Sequence, residues 1–365
     1  MLYYLSLLKT HYFGLNVFSY ITFRSGMASM TAFLIAVLIG PMIIKKLGKI
    51  GMLTKPKVWG PQSQEQKTGT PVGGGLIIIT SVLASSMLWT QPTNRFIILA
   101  QVIILAFGAL GFYDDHAKIK KKAKPGKAEG VSSRIKFSLQ LAFAALLACY
   151  LAVFPPNPEF ATHLNIPYLK ETYINFGAFY FFIAMLLFVG FANSVNLADG
   201  MDGLAIGNLI IACGALLVFV YVAGHAKFSD YLKIIPVAGS GELVVFTAAI
   251  IGAGLGFLWF NSYPAQVFMG DTGSLPMGTL LAYISIISKQ ELILLLIGGV
   301  FVAETISVVT QMSFFKVTKG RRIFKMAPFH HHFELSGTTE PKVTVRFWIV
   351  GIILGLIALA SLKLR

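Results

Sequence analysis

Charge is what this sequence has least of. Only 12% of its 365 residues are Asp, Glu, Lys or Arg, against 56% hydrophobic, and the mean hydropathy is +0.73. So little polar surface excludes a soluble globule and leaves a polytopic membrane protein. Negative charge is scarcer still, with 15 Asp and Glu against 30 Lys and Arg. The net charge of +15 would usually suggest nucleic acid. Here the basic residues fall in loops between apolar runs, where they set topology and attract anionic headgroups or substrates, so no nucleic-acid partner is expected. Cysteine is nearly absent: Cys149 and Cys213 both lie inside predicted spans, which excludes a disulfide framework. A cleavable leader is not evident either. Residues 1–24 carry Lys9 and His11 among Tyr and Phe and read as an interfacial segment.

What is abundant is apolar sequence. Segments of about 17 to 25 apolar residues are centred near Leu34, Ile79, Ile104, Ala145, Leu186, Ile211, Ile251, Leu281, Val302 and Ile353, which predicts ten transmembrane helices. An open sheet edge has no hydrogen-bond partners in lipid, so the expected class is all-α, a single membrane domain over residues 1–365. Most lysines and arginines sit after spans 1, 3 and 9, which makes those loops cytoplasmic and leaves both termini outside.

Topology then sorts the acidic residues. Five of the six aspartates, Asp114, Asp115, Asp199, Asp202 and Asp271, fall at cytoplasmic ends of spans. Solvated loop residues would scatter over both faces, so the clustering predicts one shared cytoplasmic site. Its parts are the loops near 45–72, 113–136, 193–203, 261–274 and 316–344. Asp114 and Asp115 end an apolar run and precede a lysine run that starts at Lys118. Adjacent like charges repel unless a cation joins them. Lysines would suffice, but the further aspartates favour Mg²⁺, which takes oxygen ligands and shares them with phosphates. Asn193, Asn196 and Asp199 follow a helical spacing that makes one polar stripe. The run Gly270-Asp271-Thr272-Gly273-Ser274 is expected to expose backbone N–H groups to a phosphate where the next helix starts.

Each of these features has a plainer explanation. Lysines beside a span are commonly topogenic, and of the run only Lys118 and Lys122, one turn apart after the Asp pair, are well placed for substrate. The stretch His330-His331-His332 invites a zinc site, but consecutive residues do not share a helix face and no Cys stands nearby. Histidines donating to phosphate oxygens, or an exposed polar loop, are the readings that remain. Glu304 lies inside span 9, where an ionisable group is a functional candidate or pairs with a polar neighbour.

Five stretches also carry a family resemblance. Phe112-Tyr113-Asp114-Asp115, residues 193–203 (NSVNLADGMDG), Asn261-Ser262-Tyr263-Pro264-Ala265, Phe268-Met269-Gly270-Asp271 and Pro328-Phe329-His330-His331-His332-Phe333-Glu334 resemble the bacterial phospho-N-acetylmuramoyl-pentapeptide transferases. These belong to the polyprenyl-phosphate N-acetylhexosamine-1-phosphate transferase superfamily. The resemblance spans nearly the whole chain. The aspartate motifs are shared across the superfamily, and the histidine stretch marks the muramoyl branch.

It implies an enzyme of the bacterial cytoplasmic (inner) membrane with ten spans, periplasmic termini and a site facing the cytoplasm. The reaction implied is transfer of phospho-MurNAc-pentapeptide from UDP-MurNAc-pentapeptide to undecaprenyl phosphate, giving lipid I and UMP with Mg²⁺ as cofactor. This is the first membrane step of peptidoglycan synthesis. Membrane lipids are further expected partners, and a second copy of the chain is a candidate one. By position, Asp114, Asp115, Asp271 and His330 match the catalytic residues, with Asp271 the first Mg²⁺ ligand and Asp114 and Asp115 candidates to share the ion. Lys67, Asn193, Asn196, Asp199, Asn261, Phe268, Gln311, His331 and His332 match the nucleotide-sugar site, and Lys118 and Lys122 the lysines near the diphosphate. The chain departs from the pattern in Thr70-Pro71-Val72-Gly73-Gly74-Gly75 and at Pro276. Two rivals are a sister transferase using UDP-GlcNAc, against which the histidine stretch argues, and an anion transporter. A transporter would place its ionisable groups near mid-membrane, whereas only Glu304 is deep.

Overall fold

In the computed structural model, residues 1–9, 12–54, 67–120, 130–169 and 171–363 are described. Lys122 lies outside them. All ten predicted span centres fall in helices: α1 (Ile21–Lys49), α2 (Gly75–Trp89), α3 (Arg95–Lys120), α4 (Ser133–Val153), α5 (Tyr180–Ala198), α6 (Leu204–Ala223), α8 (Gly241–Asn261), α9 (Gly270–Ile287), α11 (Gly299–Val317) and α13 (Glu340–Ala360). Short helices α7 (Ala226–Tyr231), α10 (Glu291–Ile297) and α12 (Phe329–Glu334) lie between them. Eight of the helices are long and apolar enough to cross a bilayer; α2 is shorter, with 15 residues, and α9 has 18. The chain is therefore a helical, multi-pass membrane protein. The expected interfacial segment at the N-terminus consists of two 3-10 helices, Leu2–Leu8 and Phe13–Ser19, and Cys149 and Cys213 are both free thiols.

Helix α9 is the axis of the bundle, with every residue from Asp271 to Ile287 buried. It packs against α3 and α5. Small residues permit that closeness: a Cβ at Gly111 would collide with the backbone of Asp271, and one at Gly278 with the backbone of Phe191. Pro276 lies within α9, in its second turn, without ending the helix. The outer helices expose large apolar side chains such as Leu38, Leu186 and Trp259 at 66% or more, a surface suited to lipid. At the end of the bundle opposite the N-terminus of α9, strands β1 (His163–Asn165) and β2 (Tyr173–Asn175) form an antiparallel hairpin in which His163 pairs with Asn175.

Candidate active site

Helix α3 ends where α9 begins, and the contact is ionic. Asp115 Oδ1 accepts from the backbone N–H of Asp271 (3.2 Å), and Oδ2 accepts from the N–H (2.9 Å) and hydroxyl (2.7 Å) of Thr272. With Lys118 Nζ at 3.4 Å from Oδ1, the carboxylate's lone pairs are filled. Asp115 thus acts as a fixed anion against the positive end of α9. The next N–H along, that of Gly270, donates to Asp199 Oδ2 at 3.0 Å. The expectation that this glycine-rich run opens its N–H groups to phosphate is therefore corrected at Gly270, Asp271 and Thr272. The protein's own carboxylates already occupy the place an anion would take.

Asp114 and Asp271 face outward from this junction. Asp114, Asp115 and Asp271 bring carboxylate oxygens within 4.8 Å of one another, and all three residues are buried. Two ammonium groups stand among them. Lys118 Nζ is 2.9 Å from Asp114 Oδ2 and 3.1 Å from Asp271 Oδ1. Lys136 Nζ lies 3.4 Å from Asp114 Oδ2 and also pairs with Asp271 Oδ2. Asn196, on the predicted stripe, donates from Nδ2 to Asp271 Oδ1 (2.7 Å) and to Ser274 Oγ (2.8 Å). Asn193, one turn earlier, donates to Gln140 Oε1 (2.6 Å). Asp114, Lys118, Arg134, Lys136, Gln140 and Asn193 line a cavity of about 580 Å³, whose three cationic side chains suit a phosphate.

Lys136 and Gln140 were not expected here. Lys136 looked like one more loop lysine, and no periodicity links it to Asp114 across 22 residues; only the docking of α4 does so. Asp202, expected with the other aspartates, stands apart from the cluster. It pairs with Lys67 (2.7 Å) and accepts from Ala265 N–H (2.9 Å), while Glu340, which the motifs did not single out, pairs with the same lysine. Burial alone would lower the Lys67 pKa, but the Glu340 and Asp202 carboxylates outweigh it and raise the value above the usual range. Lys67 also lies over the Phe268 ring, 5.6 Å from its centroid. Asp199, just past the end of α5, is pushed up to about 7 by burial and by the charges of Asp115 and Asp271, with the Gly270 N–H opposing.

The histidine stretch forms α12. His330 is fully buried, its backbone N–H donating to Glu304 Oε1 (3.2 Å) and its Nδ1 lying 3.2 Å from Glu304 Oε2. The intramembrane glutamate is thus a partner of His330. A Cβ on Gly200 would collide with Nε2 of the same ring. No hydrogen bond or ion pair joins His330 to the three carboxylates among the described residues. His331 Nδ1 meets Glu334 Oε2 at 3.2 Å, and His332 accepts the Lys325 N–H at 3.1 Å while stacking on Phe329. Two other expected contacts hold loops in place. Asn261 bridges Gly203 N–H (3.1 Å) and the Val267 carbonyl (2.9 Å), and Gln311 Oε1 accepts from the N–H groups of Ile323 (3.1 Å) and Phe324 (3.0 Å).

Fold and site together define a multi-pass membrane protein with a buried ionic centre at one end of its helices. The chain belongs to glycosyl transferase family 4, whose model matches residues 96–289, and to the phospho-N-acetylmuramoyl-pentapeptide-transferases. The phospho-N-acetylmuramoyl-pentapeptide-transferase of Endomicrobium trichonymphae is 49% identical to it over 350 residues, 96% of each chain. That of Desulfosudis oleivorans is 49% identical over 367 residues, 100% of each, and that of Solidesulfovibrio magneticus 45% identical over 368, also 100% of each.

Proposed function

We propose that this chain transfers phospho-MurNAc-pentapeptide from UDP-MurNAc-pentapeptide to undecaprenyl phosphate, releasing UMP and forming lipid I. The observation that carries it is the buried meeting of Asp114, Asp115 and Asp271 with Lys118 and Lys136, beside a cationic cavity, in a chain with full-length relatives of that name. The enzyme sits in the bacterial inner membrane with ten spans, both termini periplasmic and this centre facing the cytoplasm, where the soluble nucleotide is. The positive loops and the shared end of the aspartates support that orientation.

The donor set suits Mg²⁺: all oxygen, anionic and close together. Asp271 and Asp114 would hold the ion, since Asp115 is committed to α9. Bound there, Mg²⁺ supplies charge neutralisation to the diphosphate of the donor. The remaining chemistry falls to the chain itself. Lys118 and Lys136 hold the phosphates through their ammonium groups, and Asn196 keeps the Asp271 carboxylate in place. An oxygen of undecaprenyl phosphate attacks the phosphorus bearing the sugar, and the bond from that phosphorus to UMP breaks. A phosphate monoester is largely dianionic at neutral pH, with a second pKa near ~6, so little help from a base is needed. Asp114 takes the remaining proton or steers the attacking oxygen in a single displacement. Lys67, Phe268 and Asp199 form the nucleotide-sugar side, with Phe268 offering a ring to uracil. Glu304 positions His330 behind them.

The test is UMP release by purified protein given undecaprenyl phosphate and Mg²⁺, with UDP-MurNAc-pentapeptide and UDP-GlcNAc offered separately. Release from the muramoyl donor alone is expected. Release from UDP-GlcNAc alone would move the chain to the sister transferases. A phospho-MurNAc adduct trapped on Asp114 without acceptor would replace the single displacement with a covalent route.

A further inference from the structure

An apolar groove of about 270 Å³ lies between α11, α12 and α13. Val300 and Ala303 of α11, Phe329 and Phe333 of α12, and Val350 and Leu354 of α13 line it. Its single charged lining residue is Arg346. Val350 is 48% exposed, so the groove opens on the apolar exterior of the bundle. Lys342 stands one helical turn before Arg346. Both side chains are exposed, and neither forms an ion pair or hydrogen bond with a described residue.

We propose that this groove binds one acyl chain of an anionic glycerophospholipid from the cytoplasmic leaflet, with its phosphate held by Arg346 and Lys342. An apolar slot crowned at the membrane surface by two cations that pair with no other described residue matches that amphiphile in both shape and charge. A second protein copy fits less well. The slot is small and carries a charge, whereas stable interfaces bury on the order of 1,000 Å² or more and deplete charge at their centre. The polyprenyl substrate fits less well too, because none of Asp114, Asp115, Asp271, Lys118 or Lys136 lines the groove.

The groove reaches His330 through α12. Phe329 and Phe333 stack edge-on at 4.8 Å, Phe333 meets Phe347 at 6.0 Å, and the intervening turn carries His330 against Glu304. A chain lying in the groove packs on this short helix and braces His330. This consequence for turnover, and the leaflet, rest on the function and orientation proposed above; the binding itself does not.

Binding is tested by reconstituting the full chain in phosphatidylcholine vesicles doped with photoactivatable phosphatidylglycerol or, separately, photoactivatable phosphatidylcholine, then mapping adducts by mass spectrometry. The phosphatidylglycerol probe is expected to label residues 299–303 and 343–354 several-fold more than the phosphatidylcholine probe. Arg346→Gln should reduce that labelling several-fold while leaving UMP release in pure phosphatidylcholine unchanged, and Ala303→Trp, which fills the slot, should abolish it. If Arg346→Gln fails to fold, Lys342→Gln carries the same expectation. Equal labelling by both probes, labelling indifferent to these substitutions, displacement by undecaprenyl phosphate, or adducts between two copies of the chain would each overturn the proposal. Labelling needs no turnover, so absent UMP release would count against the proposed reaction alone.

Discussion

Buried charge occurs at both ends of this bundle, and the two ends handle it differently. Near the N-terminus of α8, Arg24 and Glu242 form a two-pronged pair with both contacts at 2.7 Å. Arg24 also donates to the Trp89 carbonyl (3.1 Å), and Glu242 accepts the Gln91 N–H (2.8 Å). At the foot of α10, Lys289 meets Glu291 at 3.1 Å and the Tyr180 hydroxyl at 3.0 Å. Cation and anion are matched one to one in each case, and the cavity beside Glu291 is lined almost wholly by apolar side chains, with no lysine or arginine among them. At the other end, three carboxylates share two ammonium groups beside a cavity of about 580 Å³. A matched pair ties elements together; a surplus of anion leaves a place for an incoming cation. The difference separates matched from surplus charge where burial alone does not.

Substitutions at the two ends should separate accordingly. The largest effect on turnover is expected for Asp271→Asn, which removes the carboxylate that both lysines and Asn196 converge on. UMP release should fall by at least about a hundredfold, with the thermal midpoint in detergent near that of the unaltered protein. Glu242→Ala should do the reverse. It strands a buried guanidinium and costs about 3–5 kcal/mol of stability, read as a lower unfolding midpoint, while turnover per folded molecule is retained. Gly200→Ala probes the link between the loop after α5 and α12. Its Cβ must push the His330 ring off Glu304, and a displacement of that kind costs roughly a hundredfold in turnover, measurable as a fall in kcat.

The smallest effect concerns pH. The Asp199 pKa is raised from 3.8 to about 7 in the folded protein. Its contribution to stability is therefore fully present below the unfolded value and lost as pH rises through about 7. In Asp199→Asn that component disappears. The drop in unfolding midpoint between mildly acidic and mildly alkaline pH should be shallower than in the parent, and an equal drop in both would show that Asp199 does not titrate there.

Much of this arrangement was legible from residues alone. Apolar run length placed every major helix, because in lipid the backbone must satisfy itself and length is set by bilayer thickness. One-sided clustering of aspartates anticipated the meeting of Asp114, Asp115 and Asp271, and helical spacing anticipated Asn196 beside Asp271 and Asn193 on the neighbouring cavity. What the sequence concealed was pairing across the bundle. Lys136 was indistinguishable from topogenic lysines until α4 packed beside α3, and Glu340 gave no motif at all before it met Lys67. The N-terminus of α9 misled for a related reason. A glycine-rich helix start binds anions in general, and nothing local announces that Asp115, 156 residues away, supplies the anion. The resemblance supplied His330, whose surroundings show a ring held by Glu304 and Gly200 rather than one joined to the aspartates.

The claim that the anionic surplus is a divalent-cation site is tested most directly by titrating the purified protein with Mn²⁺, standing in for Mg²⁺, and following bound metal by electron paramagnetic resonance. The account predicts one saturable site per chain that is displaced by Mg²⁺ and lost in Asp271→Asn but kept in Glu242→Gln. Binding that persists in Asp271→Asn, or no binding by the unaltered protein, would contradict it.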